Sequence, residues 1–567
     1  MKKAETGRGV VDSKKTNGRL KRRWIRIKKE DQGIPKVGYP VLKCLDGKRQ
    51  GINVKKYLNI LLKIVFSRTM VTIALLLVQI GWLFAGFRWL RDYSEVTLAF
   101  TLGLSGVLLV YIINRDETPE FKLTWVIPIC VAPVFGGLLY LFVMSNAGHW
   151  GLEKEVKRGR EEAEKLMHTG MSVRKKLEET DAHTAGLCRY VEDVGGFPVY
   201  DNSSVTYFPL GEDKYADLLV ELEKASEFIF LEYFIVERGT MWDSILDILV
   251  RKVREGVEVR FMYDGTCTLT LLPYSYPKKL RELGIRTKVF SPIRPLLSTA
   301  QNNRDHRKIL VIDGKVAYTG GVNLADEYIN GKVRFGHWKD TAIRVEGDAV
   351  KSFTVMFLQM WNVGEMGRRD YGKYIRNCVK PLEGSSGFVL PYGDSPTIKE
   401  NVAETVYMDI INHAVKYVHI MTPYFIVDNA MLDVLQFAAG RGVDVKIIIP
   451  HIPDKKPIFA MSRTYYPDLL QAGVKVYEYK PGFIHAKVFT SDDEKAVVGT
   501  INMDYRSLYH HFECAAYLYR NQAVADVERD FQETLGKCME VDLGYYRRIP
   551  WYNRMMGRVL RLVGPLM

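Results

Sequence analysis

No two of the seven cysteines form a Cys-x-x-Cys pair, and none belongs to a His/Cys cluster. Cys44, Cys130, Cys188, Cys267, Cys378, Cys514 and Cys538 are scattered along the chain. That excludes a structural zinc site and a disulfide framework, and it suits free thiols that are mostly buried. Carboxylates clustered for metal binding are also missing, so no metal or other cofactor is expected. Most of the chain lacks an excess of either charge. Of the net +14, residues 1–69 hold 20 Lys/Arg against 5 Asp/Glu, and the remainder holds 60 against 61. The surplus is one N-terminal arm, and the near-neutral body offers no basic face for gripping a polyanion, so nucleic acid is not an expected partner. A composition of 47% hydrophobic and 26% charged residues excludes wholesale disorder and collagen-like repeats. At 567 residues the chain is long enough for two or three domains.

Three uncharged apolar runs follow the arm: residues 70–87 (MVTIALLLVQIGWLFAGF), 96–113 (VTLAFTLGLSGVLLVYII) and 123–144 (LTWVIPICVAPVFGGLLYLFVM). Each lies within the roughly 17–25 helical residues that can span a bilayer's hydrocarbon. Short polar links at 88–95 and 114–122 suit helical hairpins. Nearly 70 residues precede the first run, which argues against a cleaved signal peptide. The arm's Lys/Arg excess puts the N-terminus in the cytoplasm. Three full spans then place the body on the outer side, and a re-entrant or interfacial segment keeps it inside. Pro128 and Pro133 make the third run a candidate for a kink.

From about residue 196 the chain reads as alternating strands and helices, and the order repeats. The first unit gives a strand at 227–235, a helix at 241–254, a strand at 256–264, and a helix end, glycine and strand over 280–290. The second gives a strand at 417–427, a helix at 429–439, a strand at 442–450, and the same helix end, glycine and strand over 469–479. Two such units predict a pseudo-two-fold pair of α/β lobes that can bring equivalent motifs face to face. The domain expectation is a basic arm (1–69), a transmembrane region of two to three helices (70–145), a helical connector (146–195), a first lobe (196–380) and a second lobe (381–567).

Each unit delivers the same short motif. HRKILVIDG at 306–314 holds His306, Lys308 and Asp313, and HAKVFTSDD at 485–493 holds His485, Lys487 and Asp492 at identical spacing. Glycine and asparagine follow both, as Gly320-Gly321-Val322-Asn323 and Gly499-Thr500-Ile501-Asn502. On a β-strand, His and Lys two apart share a face and enter one pocket. These residue types suit a phosphodiester. Lys308 and Lys487 can stabilise charge growing on its oxygens, and Asn323 and Asn502 can donate neutral hydrogen bonds to it. Two histidines can divide the remaining work as nucleophile and general acid/base. A nucleophilic imidazole needs a carboxylate at its other nitrogen, and the candidates are Asp340 and Glu513, which open strand-like runs after each motif. Asp313 and Asp492 sit on turns, where they suit holding the motif loop together.

The paired His-x-Lys-x4-Asp motif resembles the phospholipase D superfamily, and the chain is most similar to its bacterial cardiolipin synthases. The resemblance covers residues 96–567 and rests on 302–330, 423–450 and 483–507 together with the hydrophobic N-terminal segment. It implies two phospholipase D-type α/β lobes in a multi-pass protein of the bacterial plasma membrane. It also implies conversion of two phosphatidylglycerol molecules to cardiolipin and glycerol without a nucleotide donor or cofactor, with membrane lipid as partner. The motifs themselves do not distinguish an alcohol from water as acceptor, which leaves a membrane phospholipase D-type hydrolase, or a phosphodiesterase acting on nucleic acid, as the alternative. His306, Lys308, Asp313, His485, Lys487 and Asp492 become active-site residues, with His306 as nucleophile and His485 as acid/base. The run at 70–87 and the basic arm depart from the many members with two spans. Residues 545–567 (YYRRIPWYNRMMGRVLRLVGPLM) mix Arg with aromatic and apolar residues, which suits an interfacial helix. The Glu/Lys-rich stretch 153–179 reads as a solvated connecting helix.

Overall fold

A computed structural model describes residues 68–88, 94–144, 147–292, 303–365, 370–377, 382 and 384–566. All belong to one compact unit, Ile60–Met567. Residues 1–67 of the basic arm, together with Cys378, lie outside the described residues, and Cys44 lies within that stretch.

The first lobe contributes β1 (Ser203–Phe208), β2 (Phe228–Tyr233), β3 (Glu258–Asp264), β4 (Arg286–Phe290), β5 (Arg304–Asp305), β6 (Ile309–Ile312), β7 (Val316–Gly320), β8 (His337–Lys339) and β9 (Ala342–Gly347). The second contributes β10 (Phe388–Asp394), β11 (Tyr417–Met421), β12 (Phe425–Ile426), β13 (Asp444–Pro450), β14 (Lys475–Tyr479), β15 (Gly482–Ile484), β16 (Val488–Ser491), β17 (Lys495–Gly499), β18 (Met503–Asp504), β19 (His511–Tyr519) and β20 (Cys538–Val541). The first sheet runs β1-β9-β7-β6-β2-β3-β4, and the second runs β10-β19-β17-β16-β11-β13-β14-β20. Position for position the orders coincide, with β20 an extra edge strand. In both, three strands are parallel (β2-β3-β4 and β11-β13-β14) and the hairpin strands are antiparallel. The repeat read in the sequence is thus a repeat of topology.

Strand alternation builds two cores. On β2, Ile229 and Leu231 face a core on the outer side of the first sheet, where they meet Trp242, Ile245 and Leu249 of the helix Thr240–Arg254. That helix buries positions 241, 242, 245, 248, 249 and 252, the spacing of one helical face. Phe230, between them, faces a second core shared by both lobes and the helix Val350–Trp361. A common core explains why the lobes cannot be read as independent domains.

Two expectations need correction. The strand expected over 417–427 divides into β11 and β12, because Pro423 lacks the N–H that a ladder needs. The connector expected as one solvated helix is two helices, Ala147–Glu164 and Met171–Thr180, and Ala163, Met167 and Leu177 are buried in the shared core.

The apolar runs fold as the helices Arg68–Arg88, Ser94–Ile113, Pro119–Val131 and Pro133–Met144. The third run therefore forms two short helices that part at Ala132, just before Pro133. Gly136 lies so close to the backbone of Pro128 that a Cβ there would stand 2.5 Å from it. Among the described residues no helix is long and apolar enough to cross a membrane. Large apolar side chains nevertheless stand open to the outside, including Leu98, Phe100, Leu104, Val107 and Val110. Among the described thiols, Cys188, Cys267 and Cys514 are buried, Cys538 is half-buried and Cys130 is exposed.

Candidate active site

The two histidine motifs meet across the lobes through a pair of matching crossovers. β5 runs parallel to the start of β19, with Arg304 beside His511 and Asp305 beside Phe512. The backbone N–H of His306 then donates to the Phe512 carbonyl at 2.9 Å. The next residue, Glu513, is left against the imidazole, and its two oxygens lie 2.9 and 3.0 Å from His306 Nδ1. In the other direction β15 runs parallel to β8, with Ile484 beside Lys339. The N–H of His485 donates to the Lys339 carbonyl at 2.7 Å, and Asp340 Oδ2 lies 2.7 Å from His485 Nδ1. Each histidine therefore takes its carboxylate from the opposite lobe.

These crossovers also correct one expectation. His306–Lys308 and His485–Lys487 are not strand segments; they are extended links before β6 and β16. Their backbone bonding is spent on the partner lobe, and the two residues of each motif do not line one wall. His306 and His485 line a cavity of about 670 Å³, together with Asn323, Asn502, Tyr328, Trp338 and His511. Lys308 and Lys487 are buried one layer back, where each donates its Nζ to the carbonyl of its own motif histidine.

Burial pushes the His306 imidazole well below its usual value, and the neighbouring Lys308 and Lys487 push it further. His485 falls to about 4, again by burial first and Lys487 second, with Asp340 opposing. Both rings are therefore neutral at physiological pH, and a carboxylate on Nδ1 fixes the proton there and leaves Nε2 as the basic nitrogen. Burial lowers Lys308 to about 8 against the opposing pull of Glu513 and Asp340. It lowers Lys487 to about 7, with Asp340 opposing and Lys308 adding to the drop.

The glycines after the motifs have a steric task. A Cβ on Gly499 would stand 2.4 Å from Ala515 of β19, so only glycine lets the neighbouring strand pass. A Cβ on Gly321 would stand 2.0 Å from Asp340 Oδ1. In the second lobe the matching residue is Thr500, whose hydroxyl donates to Glu513 Oε2. One position thus makes room for one orienting carboxylate and supports the other.

The remaining candidate residues divide. Asn323 lines the cavity, but its Oδ1 accepts from the Ile235 N–H at 3.0 Å and its Nδ2 donates to the Tyr328 hydroxyl at 2.9 Å. Asn502 lines it with a buried Oδ1 that has no hydrogen-bond partner among the described residues. Asp313 and Asp492, which the resemblance placed in the active site, are not among the residues lining this cavity. Asp313 accepts from the N–H groups of Ser226, Glu227 and Phe228 and from the Ser226 hydroxyl, at 2.8–2.9 Å. Asp492 accepts from the N–H groups of Val415, Lys416 and Tyr417 at 2.7–2.9 Å. Each occupies the left-handed region, with φ of 52° and 56°, and pins the entry to β2 or β11. Burial alone would raise the Asp313 carboxyl, but its backbone donors hold it below the usual range. D313A is expected to cost about 2–4 kcal/mol of stability by orphaning those donors, with a lowered urea midpoint. D313N, which tolerates the same φ, costs less.

His511 escaped the sequence reading. The available signal was its position two residues before Glu513, which on extended backbone gives it the carboxylate's face.

The chain is similar to known proteins over most of its length. A family model described as "Cardiolipin synthase, PLD-like domain" matches residues 218–361 and 407–535, and one described as "Phospholipase_D-nuclease N-terminal" matches 103–143. The cardiolipin synthase of Alkalihalophilus pseudofirmus is 34% identical over 84% of this chain and 95% of its own length. That of Geobacillus kaustophilus is also 34% identical, over 87% of this chain and 99% of its own. The chain belongs to the cardiolipin synthase family of phospholipase D-like proteins. An uncharacterised family relative from Streptococcus mutans is 49% identical over 81% of this chain and 99% of its own. The fold is also that of the phosphatidylserine synthase of Haemophilus influenzae, at 13% identity and a TM-score of 0.50 over 67% of this chain and 98% of that one.

Proposed function

We propose that this chain is a phosphatidyltransferase that joins two phosphatidylglycerol molecules into cardiolipin and releases glycerol. The observation that carries the reading is the pair of neutral imidazoles on one cavity, each oriented by a carboxylate from the opposite lobe. In the first step His306 Nε2 attacks phosphorus, the bond from phosphorus to the glycerol oxygen breaks, and His485 in its protonated form gives that oxygen a proton. In the second step His485 Nε2 takes a proton from the primary hydroxyl of another phosphatidylglycerol. That oxygen attacks the phosphohistidine and the P–N bond breaks, which restores His306. Lys308 and Lys487 supply positive charge to the phosphoryl oxygens from behind the cavity wall. The substrate's anionic phosphate counteracts the depression of His485 and favours its protonated form.

Lipid access belongs to the same reading. The N-terminal helices enter the bilayer through the exposed apolar side chains named above. The amphipathic helix Trp551–Arg561 lies on its surface with Trp551, Tyr552, Met555 and Val559 exposed. Gly564, just beyond that helix, lines the active-site cavity, so an interfacial helix would hold the cavity near its substrate.

Purified protein in phosphatidylglycerol vesicles without nucleotide, with products read by mass spectrometry, tests the reaction. Equal amounts of cardiolipin and glycerol are expected. Phosphatidic acid and glycerol without cardiolipin would make the chain a hydrolase.

The lysines give a pH prediction. A lysine is charged below its pKa, so with values of about 7 for Lys487 and about 8 for Lys308 the free enzyme loses both cations as pH rises through that window. The kcat/KM profile is expected to fall between about pH 7 and 8. A bound phosphodiester anion favours the ammonium forms, so the alkaline limb of kcat itself lies at higher pH. An alkaline limb near 10 in kcat/KM would remove the lysines from this role.

A further inference from the structure

The cavity wall contains two polar rings that the reaction above leaves without a task. Trp338 stands two residues before Asp340, and His511 stands two residues before Glu513. They occupy equivalent places in the two crossovers, Trp338 on β8 and His511 at the start of β19. Each flanks one motif histidine, and the ring centroids of Trp338 and His485, and of His511 and His306, are both 5.4 Å apart. Both rings line the cavity and each is 6% exposed.

Neither Trp338 Nε1 nor either nitrogen of His511 has a hydrogen-bond partner among the described residues. His511 Nδ1 stops 3.6 Å from Glu513 Oε1, whose carboxylate is already engaged by His306 and Thr500. A buried polar group without a partner is costly, and what sets these two apart from others in the protein is that they stand at equivalent positions on one cavity. A ligand that brings oxygen acceptors would remove the cost. Burial holds His511 down to about 3, so its ring is neutral and offers one N–H, as the indole does. Two neutral donors fit a site in which Lys308 and Lys487 already supply the charge.

We infer that Trp338 and His511 are a pair of substrate-binding residues, one from each lobe, that donate hydrogen bonds to phosphate-ester oxygens in the cavity. The assignment rests on the phosphodiester reading of this site. It adds to that reading the residues that hold the headgroup once the lysines have attracted it.

The test uses the full chain and two probes. W338F and H511F keep an aromatic ring and remove the nitrogen, and H511N returns an N–H at that position. Binding of inorganic orthovanadate, a phosphoryl mimic, is measured by calorimetry, and KM and kcat are measured on phosphatidylglycerol vesicles. Each phenylalanine variant is expected to bind vanadate about fivefold more weakly, the loss of one hydrogen bond, with a matching rise in KM. H511N retains most of the affinity. Unchanged vanadate affinity and KM in both phenylalanine variants overturns the inference. So does a fall in kcat with both quantities unchanged, which would make the rings supports for the histidines. If H511F alone melts early, H511N and W338F carry the comparison. A wild-type chain that binds vanadate through these rings yet makes no cardiolipin overturns the reaction and leaves the oxygen-binding pair standing.

Discussion

H306A and H485A are each expected to lower cardiolipin formation by roughly 1,000-fold or more, which is about 4 kcal/mol on the barrier. One imidazole forms the bond to phosphorus and the other moves the proton, so losing either stops the cycle. The double variant is expected to be no worse than the poorer single variant, because residues that act as a unit are not additive. Both rings are buried and each satisfies a buried carboxylate, so alanine also lowers stability, and thermal unfolding is followed in parallel so that the loss of turnover is read on folded protein. Mass spectrometry of the intact protein after brief exposure to phosphatidylglycerol separates the roles. H485A retains the nucleophile and is expected to trap a phosphatidyl adduct, and H306A none. An adduct on H306A would exchange the two assignments, and substantial turnover by either variant would end the two-histidine mechanism.

E513Q and D340N are expected to lower kcat by roughly 100- to 10,000-fold, although neither residue touches phosphorus. The reason is tautomeric. A carboxylate accepts the Nδ1 proton and leaves Nε2 basic, whereas an amide can turn its NH2 toward Nδ1, which moves the ring proton to Nε2 and removes the lone pair needed for attack. The effects should follow the crossed pairing. In H485A, which forms the adduct through His306, adding E513Q is expected to prevent the adduct, and adding D340N to leave it. The reverse outcome would mean that each carboxylate serves the histidine of its own lobe, against the 2.7–3.0 Å contacts seen between lobes.

Much of this protein was legible in the linear chain because its evidence is local. The strand-like apolar run at 227–235 and the helical spacing of Trp242, Ile245 and Leu249 are both local patterns set by backbone geometry. The duplicated spacing of His306, Lys308 and Asp313 with His485, Lys487 and Asp492 exposed the repeat without any knowledge of contacts. The turn task of the two aspartates was also readable, since a short carboxylate on a left-handed turn can accept neighbouring N–H groups.

Pairings between lobes depend on how the chain crosses, which spacing does not encode. Asp340 and Glu513 could be nominated from sequence, but their exchange between lobes follows from β5 lying on β19 and β15 on β8. His511 stayed hidden because an isolated histidine beside another is common, and only the shared cavity gives it meaning. The lysines were expected on the pocket wall and stand one layer behind it, because the His-x-Lys links spend their backbone bonds on the opposite lobe. The sequence by itself determined the two lobes, the residue types of the chemistry and the helical apolar runs near the N-terminus. The tertiary structure alone decided which carboxylate orients which histidine, because that depends on contacts between residues 145 and 207 positions apart.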